Sequence, residues 1–146
     1  MTELPIIIVS WNVRELLARC LASIQVDVAR SKLAGRIIVV DNASHDGSPD
    51  MVRERFPHVE LVASDENLGF AKGNNLGLRL VPECEFALLL NPDTEVQPGA
   101  IATLLATMQA RSDIAMATSR LFYGDGAFQH SAFHFPGLSQ LYIDLF

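Results

Sequence analysis

Residues 88–96 read LLLNPDTEV, an apolar run that ends at Asn91 and is followed by the carboxylate of Asp93. Pro92 fixes its own φ and disfavours helical geometry at Asn91, so the pattern predicts a buried strand that ends in a rigid turn. In open α/β sheets, ligands bind outside the carboxyl ends of the parallel strands, where this turn would lie. Asparagine, proline and aspartate are also ordinary turn formers, so the other strand ends decide whether this turn is a site.

Short apolar runs alternate along the chain with stretches of helical periodicity. The runs at 5–10 and 36–40 are β-branched and continuous, as expected of buried parallel strands, whereas the run at 59–63 alternates and predicts a strand near a sheet edge. The predicted strands lie at 5–10, 36–40, 59–63 and 86–90. The predicted helices lie at 13–25, 49–56, 70–80 and 98–111. Together they predict one α/β domain over residues 1–146, with a mainly parallel twisted sheet flanked by helices.

Single residues refine these elements. Asn12 precedes the first helix and is predicted to cap it, and Ser48 followed by Pro49 predicts the start of the second. Gly73 and Gly77 each cost about 1 kcal/mol against alanine inside the third helix. They predict a close approach of the helix backbone, either to the sheet or to a ligand at the start of the helix.

The last part of the sequence gives weaker signals. Residues 114–118 predict a fifth strand, and Gly-Asp-Gly at 124–126 predicts a hairpin turn between two short strands. Residues 138–146 are mostly apolar and predict a helix that lacks its continuation. An exposed apolar segment of this kind predicts a homo-oligomer formed through it.

The composition restricts the function. Of 146 residues, 49% are apolar and 19% are charged, and the formal net charge is −6. An acidic chain is a poor general binder of nucleic acid or of anionic membranes, although it can bind a phosphate group locally. Cys20 and Cys84 show no metal-ligand spacing, and the scattered histidines argue against zinc. No signal peptide and no run of about 18 apolar residues is present, which predicts a cytoplasmic protein without a transmembrane segment.

A parallel sheet would bring the carboxyl ends of its strands to one edge. Polar residues follow four of the predicted strands, which is more than turn chemistry alone explains, so this edge is predicted to bind a ligand. The residues placed there are Ser10, Trp11, Asp41, Asn42, Asn67, Asn91 and Asp93.

Several ligand classes lack their sequence signatures. No Gly-x-Gly-x-x-Gly follows the first strand, and neither a P-loop nor Gly-x-Ser-x-Gly occurs. A phospho-acceptor receiver domain would place acidic residues directly after the first strand, where this chain has Ser10, Trp11 and Asn12. That class would predict phosphorylation of Asp41 or Asp93 and no affinity for a nucleotide.

A nucleoside diphosphate with a hard cation fits the remaining pattern. Asp93 is an oxygen ligand suited to Mg²⁺ or Mn²⁺, which usually take one or two carboxylates together with substrate phosphates. Asp41 and the ring of Trp11 suit a base and its ribose. Lys72 stands at the start of the glycine-rich helix and suits phosphate charge.

Four pieces of sequence, in their order and spacing, resemble family 2 glycosyltransferases of the GT-A fold, notably the rhamnosyltransferase-like branch. They are VSWN at 9–12, VDNASHDG at 40–47, ENLGFAKGNN at 66–75 and LNPD at 90–93. Weaker matches follow at 124–126 and 129–131. The pieces together are far more specific than any one of them.

The resemblance implies a glycosyltransferase that moves a sugar, with rhamnose as one candidate, from a UDP- or dTDP-linked donor to a glycan or lipid-linked acceptor. Transfer would proceed with inversion and with a divalent cation, Mg²⁺ or Mn²⁺. Cell-envelope polysaccharide synthesis is the implied setting, in the cytoplasm or at the inner face of the membrane.

The resemblance also implies roles for single residues. Asp41 would accept a hydrogen bond from a pyrimidine, and Asp93 would hold the cation that bridges the diphosphate. Asn91 and Asp93 take the place of the family's Asp-x-Asp element. The residues expected to bind the nucleotide sugar are Ser10, Trp11, Asn12, Asp41, Asn42, Ser44, Asn67, Gly69, Lys72, Asn75, Asn91 and Asp93.

Two features depart from the family pattern. Asn91 replaces the first acidic residue of the metal element, so cation binding would depend on one carboxylate. The family's catalytic base is expected beyond the end of this chain, and neither Asp125 nor His130 nor His134 is assigned that role. The chain is therefore interpreted as an N-terminal portion that carries the donor half. The alternative is a non-catalytic nucleotide-sugar-binding module that lacks the base.

Overall fold

Strands alternate with helices through most of the described chain. The computed structural model describes residues 3–130. The strands are Leu4–Ser10 (β1), Gly35–Asn42 (β2), Glu60–Ser64 (β3), Leu88–Leu90 (β4), Leu121–Phe122 (β5) and Phe128–Gln129 (β6). The helices are Arg14–Ser31 (α1), Ser48–Arg55 (α2), Gly69–Arg79 (α3) and Ala100–Ala110 (α4).

Strands β1 to β4 form a parallel sheet in the order β3-β2-β1-β4. Strand β1 is therefore central, and β3 lies at an edge, as its alternating sequence predicted. The predicted α/β class with a mainly parallel, helix-flanked sheet is confirmed. The prediction of a buried strand at 86–90 is partly wrong, because β4 is shorter and Leu89 is 46% exposed. Among the described residues β4 pairs with β1 alone, so one of its edges carries no strand there.

One face of the sheet packs against α3 through two glycines. A Cβ atom on Gly77 would lie 2.6 Å from Cγ2 of Ile7, and one on Gly73 would lie 2.8 Å from Cγ1 of Val9. Side chains do not approach one another so closely, so glycine is what allows the helix backbone to lie directly on β1. The predicted close approach is therefore packing of the helix on the sheet.

The opposite face of the sheet is covered by α1, α2 and α4. Because side chains alternate along a strand, this face carries Ile6 and Ile8, the neighbours of the residues that contact α3. Full burial of one such side chain is worth about 1.5–3 kcal/mol, which makes this layer a main source of stability. Its fully buried members include Ile6, Ile8, Leu17, Leu21, Ile24 and Val39.

Helix α1 is longer than the sequence predicted. It continues to Ser31 instead of ending at residue 25, and the residue after it, the C-cap Lys32, has a left-handed φ of 52°. The extension places Asp27 inside the helix, where its side chain is only 1% exposed. A periodicity pattern assigns a charged residue to solvent, so it could not predict a buried aspartate whose partners lie elsewhere in the chain.

The fifth strand predicted at 114–118 is wrong. These residues form no strand, and Met116 is 89% exposed. Residues 115–117 line a cavity of about 330 Å³ together with Leu88 and Leu89, and within the described range they do not pair with β4.

The hairpin predicted around residues 124–126 is confirmed, since β5 and β6 pair antiparallel and Gly126 has a φ of 85°. The helix and the self-association predicted for residues 138–146 lie outside the described residues. In the described range 3–130, no helix has the length and apolar character required to cross a bilayer.

Candidate functional site

The carboxyl ends of β1 to β4 meet along one edge of the sheet, as predicted. Ser10, the last residue of β1, pairs in register with Asp41 of β2, and Asn42 pairs with Ser64 of β3. On the other side of β1, Leu90 of β4 pairs with Ile8, so the turn after β4 begins near the level of Ser10. We call this edge, with residues 10–12, 41–47, 64–69 and 91–95, the rim.

The rim holds three buried polar atoms without hydrogen-bond partners among the described residues. They are Oγ of Ser10, Oδ1 of Asp41 and Oδ1 of Asn42, and all three residues are at most 3% exposed. An unsatisfied buried polar group costs about 1–3 kcal/mol, and native proteins leave few of them. Three of them on adjacent strand ends make this edge a candidate site for a ligand with hydrogen-bonding groups.

Asp41 has one oxygen fixed and one free. Its Oδ2 accepts a hydrogen bond of 2.9 Å from the N–H of Ser44, which leaves Oδ1 as the unpartnered atom. The chain turns at Ala43, which has a left-handed φ of 58°. This conformation costs a non-glycine residue roughly 1–2 kcal/mol, and such strain tends to occur at functional sites.

Asn12 and Ser44 join the first two loops of the rim. The N–H of Asn12 donates to Oγ of Ser44 at 2.9 Å, and the N–H of His45 donates to Oδ1 of Asn12 at 2.8 Å. Asn12 therefore does not cap α1, contrary to the prediction, because its side chain is used between loops and its φ is 52°. The two loops are held as one unit beside Asp41.

Asp46, which the sequence analysis did not select, supplies the missing caps. Its carboxylate accepts from the N–H of Arg14 at 2.8 Å and from both the N–H and the hydroxyl of Ser48, so it satisfies the starts of α1 and α2. Ser48 is thus a donor to the cap and not the cap itself. The Asp-Gly-Ser-Pro order at 46–49 was the available signal.

The pKa of Asp46 reflects these contacts. Partial burial raises the pKa, but hydrogen bonds from the Ser48 hydroxyl and from the backbone N–H groups of Arg14 and Ser48 outweigh it. The pKa therefore lies below its usual value of 3.8, and the cap remains ionised at neutral pH.

One aromatic ring is exposed at the rim and another beside it. Trp11 follows β1 and is 55% exposed, so its ring is accessible for stacking on a flat ligand. Phe70, which the sequence analysis did not select, is 63% exposed in the first turn of α3. That turn is attached to the rim, because the side-chain amide of Asn42 donates to the Gly69 carbonyl at 3.4 Å and the N–H of Gly69 donates to Asn67.

Lys72 and Asn75 are exposed on α3, and Lys72 makes no ion pair within residues 3–130. The next residue, Gly73, contacts Val9, which precedes Ser10 in β1. The first turns of α3 therefore lie over the end of the central strand. Lys72 is available there to an anionic group.

Asn91 and Asp93 are exposed on the turn after β4. The carbonyl of Asn91 accepts from the N–H of Thr94 at 3.3 Å and from its hydroxyl at 2.7 Å, which closes the turn. Neither the Asn91 nor the Asp93 side chain has a hydrogen-bond or ion-pair partner within residues 3–130. Both side chains are free to bind a ligand.

The described residues do not form a complete metal site. Nowhere in residues 3–130 do three or more histidine, cysteine or acidic side chains gather as a metal would require. One exposed carboxylate instead suits Mg²⁺ or Mn²⁺, which keep water ligands and bind through substrate phosphates. Asp93 therefore fits a cation that arrives with a diphosphate.

No late polar residue within the described range 3–130 is assigned as a base. Asp125 accepts from the N–H of Ala127 at 2.9 Å within the hairpin turn, which is the turn role that its two glycine neighbours predicted. His134 lies outside the described residues. The catalytic base expected beyond the chain end stays a prediction.

Comparison with known protein families gives the family of the chain. The family model described as glycosyl transferase family 2 matches residues 6–144. The chain belongs to glycosyl transferase family 2. The resemblance stated for the four sequence pieces is thereby confirmed, and all of the predicted rim residues lie within the matched range.

Curated relatives of this glycosyl transferase family 2 chain come from Mycobacterium tuberculosis. The proteins of strains CDC 1551 / Oshkosh and ATCC 25618 / H37Rv are both named N-acetylglucosaminyl-diphospho-decaprenol L-rhamnosyltransferase. Each is 29% identical over 112 residues, which cover 70% of this chain and 36% of the relative. The chain thus spans about a third of the length of these relatives.

Solved structures share the fold. The mannosyltransferase PcManGT from Pyrobaculum calidifontis, determined with GDP-Man and Mn²⁺, matches with a TM-score of 0.64 and 25% identity over 72% of this chain and 32% of its own. S. aureus TarS residues 1–349 with UDP-GlcNAc match with a TM-score of 0.62 and 21% identity over 75% of this chain and 32% of that one. The GT-A fold of this chain is therefore confirmed.

Proposed function

We propose that this chain is the donor-binding portion of a glycosyltransferase that moves a sugar from a nucleoside diphosphate to an acceptor hydroxyl with inversion. The observation that carries the proposal is the group of unpartnered buried oxygens on Ser10, Asp41 and Asn42 at the rim. Such a cluster lowers the stability of the unliganded fold, but it provides hydrogen-bonding groups that can recognise a polar ligand.

The nucleoside would lie between the ends of β1 and β2. Asp41 would accept a hydrogen bond through Oδ1 from the N–H of a pyrimidine, since Oδ2 is already used by Ser44. Trp11 would stack on the base or ribose with its exposed ring. A pyrimidine with such an N–H is present in both UDP and dTDP, so the geometry favours neither.

The diphosphate would lie across β1, towards the turn after β4. Asp93 would hold a divalent cation shared with the phosphate oxygens, and Lys72 would add a positive charge from α3. Such a cation supplies stabilisation of the charge that develops on the leaving diphosphate. Asn67, Gly69 and Asn75 would border this region.

The names of the relatives support a proposal for the donor sugar and the acceptor. The M. tuberculosis enzymes are named for rhamnosyl transfer to a decaprenol-linked saccharide. We extend this to a rhamnosyl donor and a lipid-linked acceptor for the present chain, with the protein in the cytoplasm at the inner face of a membrane that makes cell-envelope glycans. The catalytic base would come from a part of the protein downstream of residue 146.

Calorimetric titration tests the proposed donor site. UDP and dTDP are titrated with and without Mn²⁺ into the wild-type chain, Asp93→Asn, Asp41→Asn and the control Asp113→Asn. Asp113 is a matched control because its exposed carboxylate pairs with Arg111 beyond the end of α4, away from the strand ends. We expect Mn²⁺ to tighten binding roughly tenfold in the wild type and in the control.

The variants separate the two parts of the site. Asp93→Asn should lose the gain from Mn²⁺ and keep the metal-free affinity, whereas Asp41→Asn should weaken binding under both conditions. Absence of binding for both nucleotides would refute the proposed donor site. A longer protein that includes the downstream part could also be assayed. If it bound the nucleotide but transferred sugar to no acceptor, the non-catalytic module would be favoured.

A further inference from the structure

Helix α1 presents a row of polar side chains to the segment that carries Asp93. Cys20, Ser23 and Asp27 are spaced by three and four residues, so they lie on one face of the helix. Each of them contacts a different part of residues 91–101, in the same order along both segments. We call these three residues the α1 clasp.

Asp27 holds the far end of the segment. Its carboxylate accepts hydrogen bonds from the N–H of Gly99 and, at 3.1 Å, from the N–H of Ile101, the groups at the start of α4. Gly99 has a left-handed φ of 83°, so the chain bends sharply where it is held. A buried carboxylate is costly unless it is hydrogen-bonded, and here both of its oxygens have backbone donors.

Ser23 holds the middle of the segment. Its hydroxyl donates to the carbonyl of Cys20 at 2.7 Å and accepts from the N–H of Val96 at 2.9 Å. Because the Ser23 hydroxyl hydrogen is directed to the Cys20 carbonyl, a lone pair of Oγ is directed to the N–H of Val96. Val96 is three residues after Asp93, so this contact limits how far the turn can shift.

Cys20 lies directly beneath the turn. Its thiol Sγ is 3.7 Å from the carbonyl oxygen of Asn91 and 4.0 Å from Oγ1 of Thr94. Burial raises the pKa of Cys20 to about 11, with the bond to Thr94 opposing and the charges of Asp93 and Glu95 adding to the rise. The thiol therefore stays protonated at neutral pH and can donate to the Asn91 carbonyl.

We propose that the α1 clasp positions the Asn91–Asp93 turn relative to the ends of β1 and β2 and so sets the affinity of Asp93 for a nucleotide-bound cation. Its members act through the backbone of residues 91–101 and are positioning residues, since they face the turn from inside the fold. Because the effect is read through Asp93, the proposal rests on the proposed donor site.

The exposed contact between the same two segments does not explain the position of the turn. Arg19 and Glu95 approach to 3.5 Å, but both side chains are about 60% exposed. Exposed ion pairs of this kind contribute little. The hydrogen bonds of the α1 clasp are buried or part-buried, and they are therefore the contacts that we expect to hold the turn.

The experiment compares Asp27→Asn and Ser23→Ala with Ser23→Thr, which keeps the hydroxyl, and with Ser31→Ala at the end of the same helix. For each chain, the affinity for UDP or dTDP is measured with and without Mn²⁺, and amide deuterium exchange is followed over residues 91–101 without ligand. Circular dichroism confirms that each variant is folded. Ser23→Ala is the milder change, should Asp27→Asn fail to fold.

We expect Ser23→Ala and Asp27→Asn to reduce the gain in affinity from Mn²⁺ by roughly tenfold, as is usual for groups that orient a metal ligand. The metal-free affinity should stay within about twofold and deuterium exchange over 91–101 should become faster. Ser23→Thr and Ser31→Ala should match the wild type. An equal loss of affinity with and without Mn²⁺ would overturn the proposal, because it would indicate general damage to the fold.

Failure of the donor site itself gives a different result. If the wild-type chain gains nothing from Mn²⁺, the proposed role of Asp93 is wrong and the effect of the clasp on cation affinity is wrong with it. If the wild type gains affinity and both clasp variants keep that gain with unchanged exchange, the α1 clasp alone is refuted.

Discussion

At the scale of single residues, the rim depends on side chains that serve two segments at once. Asp46 joins the starts of α1 and α2, and Asn12 joins the first loop to the second. The sequence predicted local helix caps at the starts of these two helices. In the structure, Asp46 and Asn12 each make a hydrogen bond to a residue more than 30 positions away. This arrangement fixes the loops around Asp41 and leaves its buried Oδ1 without a hydrogen-bond partner.

The pKa of Asp46 makes one of these contacts measurable. Because its pKa is lowered in the folded chain, its ionised form contributes stability that is fully present above pH 3.8 and is lost as the pH falls through the folded value. We expect Asp46→Asn to lower the free energy of unfolding at pH 7, by about 1 kcal/mol as for a lost helix cap.

The test is urea unfolding of both proteins between about pH 2.5 and pH 7, a range that spans the usual pKa of aspartate. The difference between wild type and Asp46→Asn should be constant near neutrality and shrink below pH 3.8. A difference that grows towards low pH would show that the sign of the shift is wrong.

At the scale of elements, the packing of α3 on β1 determines where the first turns of that helix lie. In the sequence, Gly73 and Gly77 lower the helix propensity of this segment. The structure gives the reason for them, because a Cβ atom at either position would lie too close to Val9 or Ile7. The helix start, with Phe70 and the nearby Lys72, is thereby held close to the end of the central strand.

Gly77→Ala separates helix propensity from packing. Alanine is the better helix former by about 1 kcal/mol, but its methyl group would overlap Cγ2 of Ile7. We expect a net loss of about 1–3 kcal/mol of unfolding free energy, as for other overpacked sites. The measurement is chemical denaturation.

A double-mutant cycle with Ile7→Ala supplies the control for this loss. In the Ile7→Ala background the overlap is relieved, so Gly77→Ala should cost less or become stabilising. An equal cost in both backgrounds would rule out the contact with Ile7 as the cause.

At the scale of the whole molecule, the rim contains buried polar atoms that lower stability when no ligand is bound and that we expect to bind a ligand. Ser10 Oγ is buried without a partner, whereas the hydroxyl of Ser48 is equally buried and donates to Asp46. The two serines form a matched pair, because they differ in whether the fold itself uses the hydroxyl.

Removal of each hydroxyl should therefore have opposite effects. Ser10→Ala is expected to leave the free energy of unfolding unchanged or to raise it by about 1 kcal/mol, and to weaken nucleotide binding. Ser48→Ala should lower stability by about 1–2 kcal/mol. Thermal and urea unfolding without ligand, together with calorimetry, provide the measurements; a large loss of stability in Ser10→Ala would mean that its hydroxyl is satisfied within the protein.

The sequence by itself determined the class of fold and the position of the rim. Strands and helices of this kind are set by local periodicity, and a parallel sheet has to bring its strand ends together, so Ser10, Asp41, Asn67 and Asp93 could be placed at one edge without coordinates. The order and spacing of four short motifs gave the family, because those motifs are local in the chain.

The tertiary structure alone decided which polar atoms are used by the fold and which are left for a ligand. Asp46, Asp27 and Ser23 are satisfied by partners far away in sequence, and no local pattern encodes such partners. Residues 114–118 were wrongly predicted as a strand, because a strand also needs pairing with a neighbouring strand, and this apolar run has none within the described range. Hydrogen-bond satisfaction is a property of distances in space, which is why the free oxygens of Ser10, Asp41 and Asn42 could be recognised only in the folded chain.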